Sequence, residues 1–226
     1  MKLLILAIYT LTLAFALAGD SHASNKSALV TNDNPWRVSY QATLQADKPV
    51  QGSIVGVSGG NGTGVNLAVN FFSLPDDAGP FEYHIHENPV PSNGSCDTTG
   101  EHLDPFNATE IPPCSPQSPS ACQVGDLSGK HCKINEAGLV SIAFFQTQYL
   151  DLYLSTNNNN VAFFGNRSLV VHAANGTRLN CGSFVLVHDF SGGNDTSSAI
   201  AAQTGGSPAG VHLAIAVGAL GVAFVI

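Results

Sequence analysis

Apolar and polar residues alternate along most of this chain with the period of two that is typical of β-strands. In 36–45, for example, Val38, Tyr40, Ala42 and Leu44 are separated by more polar residues. Turn residues divide the chain into seven such segments, at 36–45, 50–60, 65–75, 81–89, 138–155, 161–176 and 178–188. No segment before the C-terminal tail keeps the 3.6-residue apolar period of an amphipathic helix. Short strands punctuated by Gly, Asn and Pro predict an antiparallel sandwich or barrel.

One long segment interrupts this pattern. Residues 104–134 are too rich in Pro and Ser for a strand and too long for an ordinary connection, which indicates a functional or disulfide-tied loop. Cys114 and Cys122 bracket its Pro/Ser-rich part and are expected to form a local disulfide, leaving Cys132 unpaired. The alternative pairs Cys132 with one of them. The chain has five cysteines, so at least one thiol is free or pairs outside the chain.

Both ends carry targeting patterns. Residues 1–23 are a basic start followed by an apolar run, and they predict a secretory signal peptide cleaved after residue 18 or 23. The apolar terminus at 211–226 is shorter than the roughly 20 residues of a spanning helix, and it follows a small, polar spacer at 191–210. This combination predicts a removed glycosylphosphatidylinositol attachment signal and a mature domain at 24–190. A tail-anchored transmembrane helix is the alternative. The candidate acceptors are Asn194 and residues 197–199.

Composition adds to the picture of an extracellular protein. The net charge is -8 and only 11% of residues are charged, which argues against nucleic acid as a partner. Asn-x-Ser/Thr sequons, the acceptors of N-linked glycans in secreted proteins, begin at Asn25, Asn61, Asn93, Asn107, Asn166, Asn175 and Asn194. We expect a glycosylated protein at the plasma membrane or cell wall.

Histidines supply the candidate chemistry. On a strand, residues two apart point to the same side, so His84 and His86 project from one face about 7 Å apart. Two imidazoles at that separation can converge on one metal ion, although surface pairs of this kind also occur by chance. His102 follows in the same stretch, and His172 ends a later strand. Four imidazoles therefore meet at one site if the fold brings these segments together.

Several motifs, in this order, resemble those of the copper-zinc superoxide dismutases. They are "HIHE" from His84, the Cys96-to-His102 spacing in "CDTTGEHLDP", "VGDLSG" from Val124, "LVVH" ending at His172, and "RLNCG" from Arg178 to Gly182. The resemblance covers roughly residues 38–187. The combination is far more specific than any one of its elements.

The resemblance implies a fold and a site. The fold is an eight-stranded antiparallel Greek-key β-barrel. Copper would be held by His84, His86, His102 and His172. In members that have zinc, the histidine equivalent to His102 bridges the two metals. A disulfide between Cys96 and Cys181 would tie a loop to the last strand. Arg178 would face the copper and, with His102, take part in catalysis; the alternative for Arg178 is a surface arginine in a turn.

The chain departs from the zinc-containing enzymes in two places. No histidine lies between His102 and Asp126, and Gln123 stands three residues before Asp126. Only "AANGT" separates His172 from Arg178, where the zinc enzymes have a longer charged loop that guides substrate. Together with the end signals, these losses resemble the copper-only superoxide dismutases of fungal cell surfaces, which commonly have a carboxylate where Gln123 stands. The candidates to hold the second nitrogen of His102 are Asp126, Glu101 and Glu110.

The resulting hypothesis is a monomeric, surface-anchored enzyme that converts superoxide to dioxygen and hydrogen peroxide with one copper and no zinc. Its further partners would be the lipid anchor and cell-wall glucan. A non-catalytic copper-binding or structural wall protein is the alternative. A zinc hydrolase that uses three of the histidines is weaker, because no general base is evident at the site.

Overall fold

The computed structural model of the chain describes residues 27–108, 110–134 and 144–189. The predicted signal peptide at 1–23, the spacer at 191–210 and the apolar terminus at 211–226 lie outside these residues, as do the sequons at Asn25 and Asn194. Among the described residues no helix is both long enough and apolar enough to span a membrane. The domain boundaries at 24 and 190 therefore stay predictions.

The described residues form seven β-strands, one in each of the seven alternating segments. The strands are β1 (Ser39–Thr43), β2 (Gln51–Ser58), β3 (Val65–Phe72), β4 (Glu82–His86), β5 (Phe144–Asp151), β6 (Ser168–His172) and β7 (Arg178–His188). The loop between β4 and β5 contains a 3-10 turn at Pro119–Ala121 and a single helical turn, α1, at Leu127–Lys130. The resemblance implies eight strands, and the described part of the chain contains seven of them.

All seven strands belong to one antiparallel sheet in the order β4-β6-β7-β1-β2-β3-β5. Neighbours in this order that are not consecutive in the chain require Greek-key crossovers. The sheet curls until its two edge strands face each other. A hydrogen bond shows this contact: the Tyr149 hydroxyl on β5 donates to the Tyr83 hydroxyl on β4 at 3.1 Å. The architecture is thus an open, barrel-like sheet.

The core lies on the inner side of this curled sheet. On β3, the buried residues Val65, Leu67, Val69 and Phe71 alternate strictly with exposed ones, as a period of two requires. Phe71 packs edge-to-face against Tyr83 of β4, with ring centroids 5.6 Å apart. The alternation seen in the sequence therefore separates the core from the surface.

A buried ion pair fastens α1 to the end of β5. The side chains of Lys130 and Asp151 are fully buried and in contact, and Lys130 Nζ also donates to the Val124 carbonyl at 2.8 Å. Burial would raise the pKa of Asp151, but the charge of Lys130 and the hydrogen bond from His131 outweigh it and hold that pKa below its usual value. This pair fixes the helical turn whose first residues contact the histidine site.

Two disulfides tie the loops. Cys96 is bonded to Cys181 of β7, which joins the loop after β4 to the sheet, and Cys114 is bonded to Cys122 within the long loop. Cys132 lies outside both bridges, so neither alternative pairing of Cys132 is formed. The long Pro/Ser-rich segment is therefore held by its own disulfide and by α1.

Candidate metal centre

Four histidine side chains meet on the outer side of β4. They are His84 and His86 of β4, His102 of the following loop and His172 at the end of β6, and each offers a ring nitrogen that lies within 4.8 Å of the others. His84, His86 and His172 are buried. The structure thus brings together the four histidines that sequence analysis singled out.

Main-chain hydrogen bonds explain why these distant segments converge. Ile85 N donates to Gly125 O at 2.9 Å, Gly125 N to Leu103 O at 2.8 Å, and Leu103 N to Ile85 O at 2.8 Å, which closes a ring of three bonds. A Cβ at Gly125 would lie 2.2 Å from Ile85 O, so only glycine fits there. The residues beside these three, including His84 and His102, are consequently held next to one another.

Three of the imidazoles have their tautomer set by a carbonyl-type acceptor. His86 Nδ1 donates to Gly100 O at 2.9 Å, and His172 Nδ1 donates to Gly176 O at 3.2 Å. His102 Nδ1 donates to Gln123 Oε1 at 2.7 Å. Because a neutral imidazole has one N–H, these bonds leave each Nε2 with a bare lone pair. Nε2 of His86 and of His172 lie only 3.1 Å apart.

His84 has the opposite tautomer. Ser128 Oγ lies 3.0 Å from His84 Nε2, and the Ser128 hydroxyl proton is donated to Tyr83 O at 3.3 Å. Asp126 Oδ1 is 3.4 Å from the same nitrogen and, as a carboxylate, can only accept, so His84 Nε2 carries the proton. His84 Nδ1 is then a bare lone pair; it is buried and has no hydrogen-bond partner within the described chain.

That orphaned nitrogen is a test of whether the site suits a metal ion. A buried polar atom without a hydrogen-bond partner costs about 1–3 kcal/mol. Such an atom in a native fold therefore indicates a bound water, ion or ligand that satisfies it. Here four lone pairs share one small volume. An imidazole set suits copper well, and a bound ion would satisfy all four atoms at once.

Electrostatics keep the rings ready to bind a cation. Burial lowers the pKa of His86 to about 2 and that of His172 to about 3. Burial, together with the neighbouring His84, also lowers the pKa of His102. These three rings are therefore neutral at physiological pH, which is the state in which imidazole ligates metals.

The second nitrogen of His102 is held differently from what the sequence suggested. Its partner is Gln123, whose Nε2 donates to Asp104 Oδ2 at 3.4 Å, so that the amide oxygen faces the ring. Glu110, largely exposed, lies 3.5 Å from the same nitrogen. Of the other two candidates, Asp126 contacts His84, and Glu101 is an exposed loop residue whose main-chain carbonyl accepts from Glu87 N. Of the three candidates that the sequence left open, only Glu110 therefore comes near this nitrogen.

Asp126 instead organises the His84 side of the site. It caps the N-terminus of α1, where its side chain accepts a 2.7 Å hydrogen bond from Gly129 N. Burial would raise the pKa of Asp126, but its hydrogen bond to His84 and the bond from Gly129 outweigh burial and lower the pKa. The carboxylate is therefore charged, and it stabilises the Nε2–H tautomer of His84.

Arg178 begins β7 and its guanidinium spans the loop after Cys96. Nη1 donates to Cys96 O at 2.8 Å, to Asp97 O at 3.1 Å and to Thr99 Oγ1 at 3.0 Å, while Nη2 donates to Gly100 O at 2.8 Å. Gly100 O is also the acceptor for His86 Nδ1. The arginine is thus coupled to His86 of the histidine cluster through one carbonyl oxygen.

Sequence analysis did not identify three contributors to this site: Ser128, Asp104 and the carbonyl of Gly100. A main-chain acceptor leaves no mark in the side-chain pattern. Ser128 follows Asp126 by two residues in "GDLSG", a spacing that only the helical turn makes meaningful. Asp104 acts through Gln123, across 19 residues of the chain.

Comparison with known proteins gives the class. Residues 50–184, more than half of the chain, match the family model described as copper/zinc superoxide dismutase. The chain is 37% identical over 186 residues to cell surface superoxide dismutase [Cu-Zn] 4 of Candida albicans, which covers 82% of this chain and 72% of that protein. It is 36% identical over 193 residues to the cell surface Cu-only superoxide dismutase 5 of the same organism, with 85% and 77% covered.

A solved structure agrees. The copper(II) form of Candida albicans superoxide dismutase 5 superposes with a TM-score of 0.58 at 35% identity, covering 68% of this chain and 94% of that one. The chain belongs to the copper/zinc superoxide dismutase family. It is a copper-dependent superoxide dismutase, an oxidoreductase, and its fold is the expected all-β antiparallel one.

Proposed function

We propose that this superoxide dismutase binds one copper ion through His84 Nδ1 and through Nε2 of His86, His102 and His172, and that it works without zinc. The orphaned His84 Nδ1, buried among three other bare lone pairs, carries this proposal. Copper held there would supply one-electron redox chemistry, by which one superoxide is oxidised to dioxygen and a second, with two protons, is reduced to hydrogen peroxide.

The protein's part is to hold the ion and to attract the anion. The buried neutral imidazoles add no charge of their own, and each ring is oriented by a hydrogen bond on its other nitrogen. Arg178 provides a permanent positive charge close enough to His86 and His172 to contribute to lowering their pKa values. Only the short turn at 173–177 separates His172 from Arg178, so attraction of the anion falls to Arg178 rather than to a long charged loop.

The zinc-free part of the proposal rests on the space beyond His102. A cavity of about 200 Å³ lies there, and it is lined in part by Glu110, Gln123, Asp126 and Lys133. Zinc sites usually take four N, S or carboxylate ligands in a tetrahedron. Here His102 Nδ1 is already bonded to a neutral amide, Asp126 contacts His84, and Glu82, another carboxylate of the same cavity, is ion-paired with Lys133. Of the relatives above, one is described as a [Cu-Zn] enzyme and the other as a Cu-only enzyme.

Elemental analysis of the purified secreted protein, combined with a dismutation assay, tests both parts. We expect about one copper per chain, no zinc requirement, and loss of copper and activity in His172→Gln. His188→Gln, a histidine outside the cluster, is the matched control and should keep both. A tightly held zinc needed for activity would contradict the zinc-free site. Copper-loaded protein without dismutation would favour the non-catalytic alternative.

We also propose that the enzyme acts outside the cell as a monomer with N-linked glycans, held by a glycosylphosphatidylinositol anchor or attached through its remnant to wall glucan. The relatives above are described as cell-surface proteins. A phosphatidylinositol-specific phospholipase or a glucanase should release the protein. Peptides from 211–226 in the surface form would refute the anchor.

A further inference from the structure

The outer side of four neighbouring strands has an unusual composition. We call the outward residues of β1, β2, β3 and β5 the amide face; they are Gln41, Thr43, Gln51, Ser53, Val55, Val57, Asn66, Ala68, Asn70, Phe72, Phe144, Gln146, Gln148 and Leu150. None of them is charged. Asp151, the one charged residue in these strands, is buried. Natural edge strands such as β5 usually carry charged side chains, which prevent pairing with another chain. This face has no such charges.

The polar groups of this face are arranged in rows. The strand registers align Thr43, Ser53, Asn70 and Gln146 across four strands, a row of hydroxyls and amides spanning about 14 Å at the usual strand spacing. Asn70, Gln146 and Gln148 are exposed. Within the described chain no hydrogen bond uses their side-chain amides. Each amide therefore has donors and an acceptor to offer a ligand.

An aromatic pair borders these rows. Phe72 and Phe144 are directly opposite each other on β3 and β5, and their side chains are 42% and 52% exposed. Large exposed apolar groups rimmed by polar ones are typical of binding surfaces. Rigid aromatic rings beside adaptable amides and hydroxyls are also the composition of surfaces that bind polyhydroxylated molecules, since a sugar has an apolar C–H face and a hydroxyl rim.

The sequons in the described part of the chain all lie away from this face. The five sequons in the described part of the chain begin at Asn61, Asn93, Asn107, Asn166 and Asn175, all exposed and all in turns or loops. None lies on β1, β2, β3 or β5. Glycans at these positions would cover the loops and leave the outer side of these four strands accessible.

We propose that the amide face binds a neutral polysaccharide chain, independently of the copper site. An uncharged ligand matches a face without charge, and amides can both donate to and accept from sugar hydroxyls. A second copy of this chain is the competing occupant. Two copies would each bring a net charge of -8, which opposes their association, whereas a neutral polymer meets no such repulsion.

The test measures binding of the mature secreted protein to insoluble cellulose and to insoluble β-1,3-glucan particles, with pectate as a polyanionic comparison. The variant Asn70→Asp/Gln146→Glu is nearly isosteric but removes two donor groups and adds charge. We expect binding to at least one neutral polymer and about tenfold weaker binding by the variant, the loss of roughly two hydrogen bonds. Phe144→Ala should also weaken it.

The matched control is Asn158→Asp/Asn159→Asp, which adds the same charge in an exposed turn and should bind like the parent. Dismutation activity is measured on every variant and should be unchanged, so failure of binding is distinguishable from failure of the proposed function. Absence of binding to both neutral polymers, or equal binding by the face variant, would overturn the proposal. So would a concentration-dependent dimer, by sedimentation velocity, that the face variant abolishes.

Discussion

Replacing Arg178 should lower both the stability of the fold and the dismutation rate. The two effects have different physical causes. The family resemblance implies that Arg178 is a charge facing the copper, a role that by itself would not affect thermal stability. The guanidinium, however, donates four hydrogen bonds to the loop after Cys96. Its removal should therefore loosen that loop.

The magnitude follows from those bonds. A hydrogen bond to a charged group is worth about 1.5–3 kcal/mol when both partners are buried, but the loop carbonyls released here can bond water instead. We expect Arg178→Ala to lower the free energy of unfolding by about 2–4 kcal/mol in total, or roughly 5–15 °C in melting temperature. Gly100 O also orients His86, so copper affinity should fall as well.

The effect on rate comes from the charge. Two opposite unit charges about 4 Å apart attract by roughly 1 kcal/mol in water and about 4 kcal/mol near a protein surface, so the dismutation rate should fall at least severalfold at low ionic strength. Arg178→Lys keeps the charge but not the planar fork of donors. It should lose most of the same stability while retaining part of the rate and its salt dependence.

The assay is the dismutation rate of copper-loaded protein as a function of ionic strength, with calorimetric melting of each variant. Salt should slow the parent more than Arg178→Ala, because screening acts on an attraction that the alanine variant no longer has. An alanine variant as fast as the parent, with the same salt dependence, would refute substrate guidance. An unchanged melting temperature would refute the structural role.

Two further predictions concern the histidines. Gln123→Leu leaves the His102 Nδ1–H without its acceptor, at a cost of about 1–3 kcal/mol, so the copper dissociation constant from chelator competition should rise about 5- to 150-fold. Gln123→Glu keeps an acceptor and is the control; an equal rise in both variants would contradict the role of the bond. In the copper-free protein, burial lowers the pKa of His86 to about 2 and of His172 to about 3, against about 6.5 unfolded. The unfolded state binds more protons below pH 6.5, so the free energy of unfolding should be highest above about pH 6.5. It should fall towards pH 3 by up to about 2.7 kcal/mol per pH unit, since two groups contribute. A free energy of unfolding, measured with urea, that stays constant over that range would contradict this prediction.

The strands were predictable from the sequence because their signal is local. A period of two assigns alternate residues to the core, and on β3 Val65, Leu67, Val69 and Phe71 follow it without exception. The long loop was also predictable from the sequence, since a segment as rich in Pro and Ser as 104–134 cannot continue a strand. Sequence order could not reveal that β4 pairs with β6, or that both edge strands meet through Tyr83 and Tyr149.

At the site, the sequence by itself determined which side chains are available: four histidines, an arginine and a glutamine where a carboxylate is common. Only the tertiary structure decided what each atom does. His84 turns its Nδ1 into the cluster because Ser128 and Asp126 hold its other nitrogen. The direction of a hydrogen bond depends on the separation of atoms that are dozens of residues apart in the chain, and no local pattern encodes that distance.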